Sequence, residues 1–118
     1  MKKKIAILGS TGSIGKSLMS LIKKDKNKYQ VVLLSANKNY KLLIKQAKEF
    51  NVKNVIITNC KNFNKVKKDK RIKNIKIFKD FKCFKKIFKT KIDYSMCSIT
   101  GIEGLEPTLN IIKHTKVV

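Results

Sequence analysis

Ile5-Ala6-Ile7-Leu8-Gly9-Ser10-Thr11-Gly12-Ser13-Ile14-Gly15 is the stretch on which the fold turns. An apolar run leads into glycines at every third position, and behind them Ile14, Leu18, Leu21 and Ile22 recur at helical spacing. The pattern predicts a buried strand, a tight turn and a helix with those four residues on its inner face. Glycine lets a backbone approach phosphate oxygens closely, while the free N–H groups and the positive dipole end of the following helix face them. The stretch reads as a phosphate cradle, placed where the first βα corner of a dinucleotide-binding domain stands. Its G-x-x-G-x-x-G spacing differs from the G-x-G-x-x-G of many NAD enzymes, and a glycine turn also closes strand-to-helix corners that hold no ligand.

Outward from this corner, a charged loop from Lys23 to Lys28 leads into Tyr29-Gln30-Val31-Val32-Leu33-Leu34-Ser35-Ala36. This near-continuous apolar run suits a parallel strand covered on both faces. It ends in Asn37-Lys38-Asn39. In an NAD binder, an acid about twenty residues beyond the glycine turn accepts hydrogen bonds from the adenosine ribose and would repel a 2′-phosphate. Here that region holds no acid, and Lys38 brings a cation, so the expected cofactor is NADPH.

Asn39 is a good helix N-cap for Tyr40 to Phe50, with Leu43, Ala47 and Phe50 on one face. Val52 to Thr58 predicts a third strand, and two such βα units make a right-handed start to a doubly wound parallel sheet. Asn59 to Arg71 contains a short helix anchored by Phe63 and Val66. Ile75-Lys76-Ile77-Phe78 alternates as a strand near a sheet edge, since Lys76 would otherwise be buried. Phe81, Phe84, Ile87 and Phe88 recur at helical spacing: they pack on the sheet, or else stack bases.

Ile92 to Cys97 reads as the next strand, with Ser98-Ile99-Thr100-Gly101 after it as a wall for the nicotinamide half of a cofactor. Asp93 lies too early in that strand to reach such a site and is structural or on the surface. Gly104 to Lys113 predicts a last helix with Pro107 in its first turn and Leu105, Leu109 and Ile112 facing the sheet. Lys116-Val117-Val118 then opens a strand and stops, as a truncated product or a fragment of a longer protein would.

The 118 residues have room for one domain, residues 1–118, of class α/β. No uninterrupted apolar run is long enough to span a bilayer. The run behind Met1-Lys2-Lys3-Lys4 is broken at once by glycine and serine, which argues against a signal peptide. Cys60, Cys83 and Cys97 lack metal or disulfide spacing and fit a reducing, cytoplasmic setting. His114 is the sole histidine and is expected near a helix C-terminus.

The formal charge of +22 raises a rival reading, a small basic nucleic-acid-binding α/β protein. Arg71 is the only arginine, whereas dedicated nucleic-acid binders commonly use arginine forks, and a coding sequence rich in A and T yields the same lysine bias. The charge is therefore read as background composition, with no specific nucleic-acid partner.

Lys4-Ile5-Ala6-Ile7-Leu8-Gly9-Ser10-Thr11-Gly12-Ser13-Ile14-Gly15, the Leu34-Ser35-Ala36-Asn37-Lys38-Asn39 turn, Gln46-Ala47-Lys48-Glu49-Phe50 and Gly101-Ile102-Glu103-Gly104-Leu105-Glu106-Pro107-Thr108-Leu109 together resemble a known family. It is the N-terminal, Rossmann-like domain of 1-deoxy-D-xylulose 5-phosphate reductoisomerases, matched in order over essentially the whole chain. The resemblance implies an NADPH-dependent oxidoreductase of non-mevalonate isoprenoid biosynthesis. Such enzymes rearrange 1-deoxy-D-xylulose 5-phosphate and reduce the product to 2-C-methyl-D-erythritol 4-phosphate. A divalent metal, Mn or Mg, holds the substrate oxygens, and the complete enzymes are homodimers.

Carried over by position, Thr11, Gly12, Ser13 and Ile14 would line the cofactor's pyrophosphate. Asn37, Lys38 and Asn39 would hold the adenosine end and its 2′-phosphate. The family commonly has glycine where Asn37 stands, and a left-handed backbone there would explain the exchange, since asparagine tolerates positive φ. The family's acidic metal ligands, substrate-phosphate pocket and lid have no counterpart in the 118 residues. The expectation is a chain that recognises the cofactor but has no catalytic or metal-binding residues and does not complete the reaction alone. A different NADP enzyme, such as a short-chain dehydrogenase, is disfavoured because no Tyr-x-x-x-Lys pair occurs.

Overall fold

A computed structural model describes residues 3–69, 72, 74–88, 91–99, 111 and 114–117. The chain begins with β1 (Lys3–Leu8), α1 (Ser13–Lys24), β2 (Tyr29–Ala36), α2 (Tyr40–Glu49), β3 (Asn54–Ile57) and α3 (Cys60–Lys67). It continues with β4 (Lys76–Phe78), a 3₁₀ turn (Phe81–Cys83), α4 (Phe84–Ile87), β5 (Ile92–Cys97) and β6 (Thr115–Val117). The strands form one six-stranded sheet in the order β4-β3-β2-β1-β5-β6. Every pairing is parallel, with Ile5 opposite Tyr94 and Leu8 opposite Cys97 on one side of β1, and Lys3 opposite Tyr29 on the other.

Parallel strands must be covered on both faces, and alternation along β1 supplies both. Ile5 and Ile7 join a core with Met19 and Ile22 of α1 and Leu43 and Ala47 of α2. Ala6 and Leu8 point the other way, into a core with Leu33, Ile56, Phe84, Phe88 and Ile111. Because β1 lies between β2 and β5, successive connections leave it in opposite directions, and a crevice opens beyond its carboxyl end.

Helix α1 is turned differently from its expected phase. Its buried residues are Gly15, Met19 and Ile22, while Ile14 and Leu21 are each 60% exposed. Gly15 sets the rotation: a Cβ there would stand 2.2 Å from the Gly9 carbonyl oxygen and 2.6 Å from Ser10 Cα. Backbone packs directly on backbone, so the face through Gly15 must be the inner one. On α2, Leu43 and Ala47 are buried as expected, together with Ile44 and Gln46, while Phe50 is a half-buried C-cap.

β3 is shorter than the expected Val52 to Thr58, with Val52 buried in the preceding loop. β4 is an edge strand and Lys76 is exposed on it. The aromatic segment is a 3₁₀ turn plus one helical turn, with Phe84 and Phe88 in the core. His114 lies just before β6, its carbonyl accepting from Ile92 N at 2.9 Å, and its ring packs against Phe84 and Phe88 at about 6 Å. Buried Ser95 and Thr115 share a 2.6 Å hydrogen bond between β5 and β6. Of the expected last helix, Ile111 is helical and fully buried. Leu105, Leu109 and Ile112 lie outside the described residues, as do Thr100 and Gly101. No helix among the described residues is long and apolar enough to cross a membrane.

Candidate cofactor site

Gly9 directly follows β1 with φ of +80°, a left-handed conformation that glycine takes without penalty. A Cβ there would also meet Ser98 Oγ and Ile99 Cγ1, both at 3.1 Å. The corner is bolted to its neighbours. Gly9 N–H donates to Ser35 Oγ at 2.8 Å, and the Ser98 hydroxyl lies 2.8 Å from the Gly9 carbonyl. Ser10 is fully buried; its N–H donates to the Ser35 carbonyl at 3.0 Å and its hydroxyl to Gln46 Oε1 at 2.8 Å. Gln46 Nε2 returns a bond to the Ser10 carbonyl at 3.0 Å. Buried polar groups stabilise a fold only when satisfied, and this network leaves none of them orphaned.

The three glycines thus have separate tasks. Gly9 makes the turn, Gly15 admits the loop against the helix, and Gly12 opens the cleft. At Gly12, the N-cap of α1, φ and ψ are −75° and 174°, which any residue adopts, and an added Cβ would meet only the Gly9 carbonyl at 3.7 Å. No side chain caps this helix, and no acid lies in its first turn. The N–H groups of Ser13 and Ile14, both exposed residues, have no acceptor within the helix. An anion is what such an end favours.

A cleft of about 440 Å³ lies at the carboxyl ends of the central strands. Gly9, Thr11 and Gly12 line it from the first corner, Ser35, Ala36 and Asn37 from the second, and Thr58 from the third. Phe81, Ser98 and Ile99 close the remaining side. No acid is among these residues. The carboxylates that carry perturbed ionisation lie elsewhere. Glu49 is held below the usual carboxylate range chiefly by its hydrogen bond with Lys23 at 2.8 Å. Asp93, near the amino end of β5, is held low first by the Lys4 backbone N–H at 2.8 Å and then by Lys116. Burial pushes the Cys83 thiol up to about 11, which makes it inert at neutral pH. A larger groove of about 750 Å³ between α2 and α3 is lined by Tyr40, Ile44 and several lysines, with no part of the glycine corner in it.

The turn after β2 has its own architecture. Asn39 at φ −82° and ψ 66° is the centre of an inverse γ-turn, closed by Tyr40 N–H donating to the Lys38 carbonyl at 2.8 Å. Its side chain also caps α2, accepting from Leu42 N at 3.3 Å. The left-handed backbone expected at Asn37 is not there: among the described residues other than glycine, only Asn51 and Asn74 have positive φ. Asn37 is instead held by its side chain, which accepts from Thr58 Oγ1 at 3.0 Å, and by its carbonyl, which accepts from Asn59 N at 3.2 Å.

Of the residues singled out from sequence, Thr11, Gly12 and Asn37 line the cleft directly. Ser13 and Ile14 form the exposed first turn of α1, and Lys38 and Asn39 are exposed on the turn beyond Asn37. Ser35, Thr58, Phe81 and Gln46 were not singled out. Gln46 left a readable signal, since it is a polar residue three positions from Leu43 on the inner face of a short helix. Among the described residues no group of three or more His, Cys, Asp or Glu could hold a metal.

A family model described as 1-deoxy-D-xylulose 5-phosphate reductoisomerase matches residues 5–118. The chain belongs to this family. The reductoisomerase of Pelagibacter ubique (strain HTCC1062) is 55% identical over 118 residues, covering 98% of this chain and 30% of that protein. That of Wolbachia pipientis subsp. Culex pipiens is 39% identical over 117 residues, again covering 98% of this chain and 30% of the relative. The chain therefore spans about 30% of the length of these reductoisomerases. The structure of the Zymomonas mobilis reductoisomerase in complex with NADPH matches at a TM-score of 0.85 and 29% identity, over 100% of this chain and 32% of that one. A reductoisomerase complex with NADPH, fosmidomycin and magnesium matches at a TM-score of 0.84 and 24% identity, over 98% of this chain and 29% of that one, and supports the fold. The rival nucleic-acid reading finds no support among these reductoisomerase matches.

Proposed function

We propose that this chain is the NADPH-binding portion of a 1-deoxy-D-xylulose 5-phosphate reductoisomerase. The observation that carries the proposal is the uncapped first turn of α1 standing over a glycine-lined, acid-free cleft. The backbone at Thr11, Gly12, Ser13 and Ile14 holds the pyrophosphate, with Gly12 bare so that the phosphates can come close. Asn37, Lys38 and Asn39 hold the adenosine end, and the Lys38 ammonium meets the 2′-phosphate. Ser98 and Ile99 flank the nicotinamide half. The family resemblance and the NADPH named in the Zymomonas mobilis complex support this reading.

Held by these residues, NADPH would supply the hydride that reduces the aldehyde formed from 1-deoxy-D-xylulose 5-phosphate to 2-C-methyl-D-erythritol 4-phosphate in the complete enzyme. The chain's own part is to bind, orient and select the cofactor. The described residues do not fit a divalent metal: Glu49 is paired with Lys23, and Asp93 with the Lys4 backbone and Lys116. On the family resemblance, metal and sugar phosphate are assigned to the parts of a reductoisomerase that these 118 residues do not match, and the complete enzyme to a cytoplasmic homodimer.

Thermal unfolding of the chain with each cofactor tests the reading. NADPH at a hundred times its dissociation constant stabilises by about 2.7 kcal/mol, NADH stabilises less, and Lys38→Glu removes the difference. Equal melting with and without NADPH overturns it. Incubation with NADPH, manganese and substrate gives no cofactor consumption by the chain alone, and measurable consumption contradicts the division of labour.

A further inference from the structure

The third βα corner holds the second one in place. Asn62, half-buried in the first turn of α3, donates from its side-chain amide to the Lys38 carbonyl at 2.8 Å. Its own backbone N–H donates to the Asn59 cap at 3.1 Å, so the residue is anchored at both ends. The Lys38 carbonyl already accepts from Tyr40 N–H across the inverse γ-turn, and its two acceptor positions are thereby filled. Thr58 Oγ1 and Asn59 N–H hold Asn37 from the same side. A peptide carbonyl fixed from two directions fixes the plane of the peptide. The direction in which the Lys38 side chain leaves the turn follows.

We propose that Asn62 is a positioning residue for selection of the phosphorylated cofactor, acting through the Lys38 carbonyl rather than by touching the ligand. The inference rests on the proposed role of Lys38 toward the 2′-phosphate. A lysine reaches phosphate as a point charge on a flexible stem, so its value depends on how much ordering remains to be done at binding. Asn62 performs that ordering beforehand. NADH has no 2′-phosphate and gains nothing from it.

The test is calorimetric titration of the 118-residue chain with NADPH and with NADH, for the parent, Asn62→Ala, Lys38→Ala and the double variant. The expected result for Asn62→Ala is a three- to tenfold loss of NADPH affinity, about the worth of one hydrogen bond, with NADH affinity within twofold of the parent. In the Lys38→Ala background the Asn62 substitution has no further effect, because its route to the ligand is gone. Asn62→Gln, which keeps an amide donor, recovers part of the loss. If Asn62→Ala fails to fold, Asn62→Ser, too short to reach Lys38, replaces it.

An unchanged NADPH-to-NADH ratio in a folded Asn62 variant overturns the inference alone. Equal losses for both cofactors also overturn it, since that is the mark of a merely structural residue. A parent chain with no preference for NADPH overturns the underlying role of Lys38, and the inference with it.

Discussion

Gly12 and Gly15 look alike in sequence and have opposite tasks in the structure. A Cβ on Gly15 would be driven into the Gly9 carbonyl at 2.2 Å and the Ser10 backbone, neither of which can swing aside. Gly15→Ala is expected to cost about 1–3 kcal/mol in urea denaturation, the usual penalty for overpacking. Gly12→Ala, with φ of −75° and an open Cβ direction, is expected to cost under about 1 kcal/mol. NADPH affinity nevertheless falls about tenfold or more in Gly12→Ala, because the new methyl stands where the phosphates approach. If both variants lose stability equally and Gly12→Ala binds normally, the separation of tasks is wrong. Sequence spacing made all three glycines visible as a corner, but only the contacts of each Cβ distinguish them. Asn37 shows the same limit: the family's glycine suggested positive φ, yet the residue is held by Thr58 and Asn59, partners about twenty positions away that spacing cannot reveal.

β1 and β2 were legible as elements because near-continuous apolar runs bounded by turn residues admit little else in a chain this short. The face of α1 was legible only in part: Leu18 and Ile22 pack inward as their spacing suggests, but Ile14 and Leu21 keep the same spacing and are turned outward by the close approach of Gly15 to the loop. Asp93 illustrates how an element-level link escapes a sequence reading altogether. From β5 it accepts a hydrogen bond from the Lys4 N–H of β1 and pairs with Lys116 of β6 at 3.5 Å. Its carboxyl is held below its ordinary value in the folded chain, so its stabilisation is present above that ordinary value and is lost as pH falls through the folded one. Asp93→Asn is therefore expected to melt below the parent at neutral pH and to converge with it at pH values below the folded carboxyl's titration. Melting curves across the acid range check this, and an offset that stays constant with pH contradicts it.

Across the whole molecule, a net charge of +22 is confined to a body about 30 Å across. Like charges at such separations repel over a Debye length of about 10 Å at 0.1 M salt, so added salt relieves the folded state. The melting temperature is expected to rise by several degrees, roughly 3–6 °C, between low and moderate sodium chloride; a flat or falling response would mean that the lysines are already compensated. The cleft itself is lined by no acid, and a strongly positive molecule favours a multiply anionic ligand there over a neutral one. The most direct measurement is a nuclear magnetic resonance titration of isotopically labelled chain with NADPH and, separately, NADH. The amide resonances of Gly12, Ser13 and Ile14 are expected to move with both cofactors, and that of Lys38 with NADPH alone. A folded chain whose Gly12 and Lys38 resonances stay fixed through the NADPH titration would contradict the assignment of this corner as a dinucleotide site.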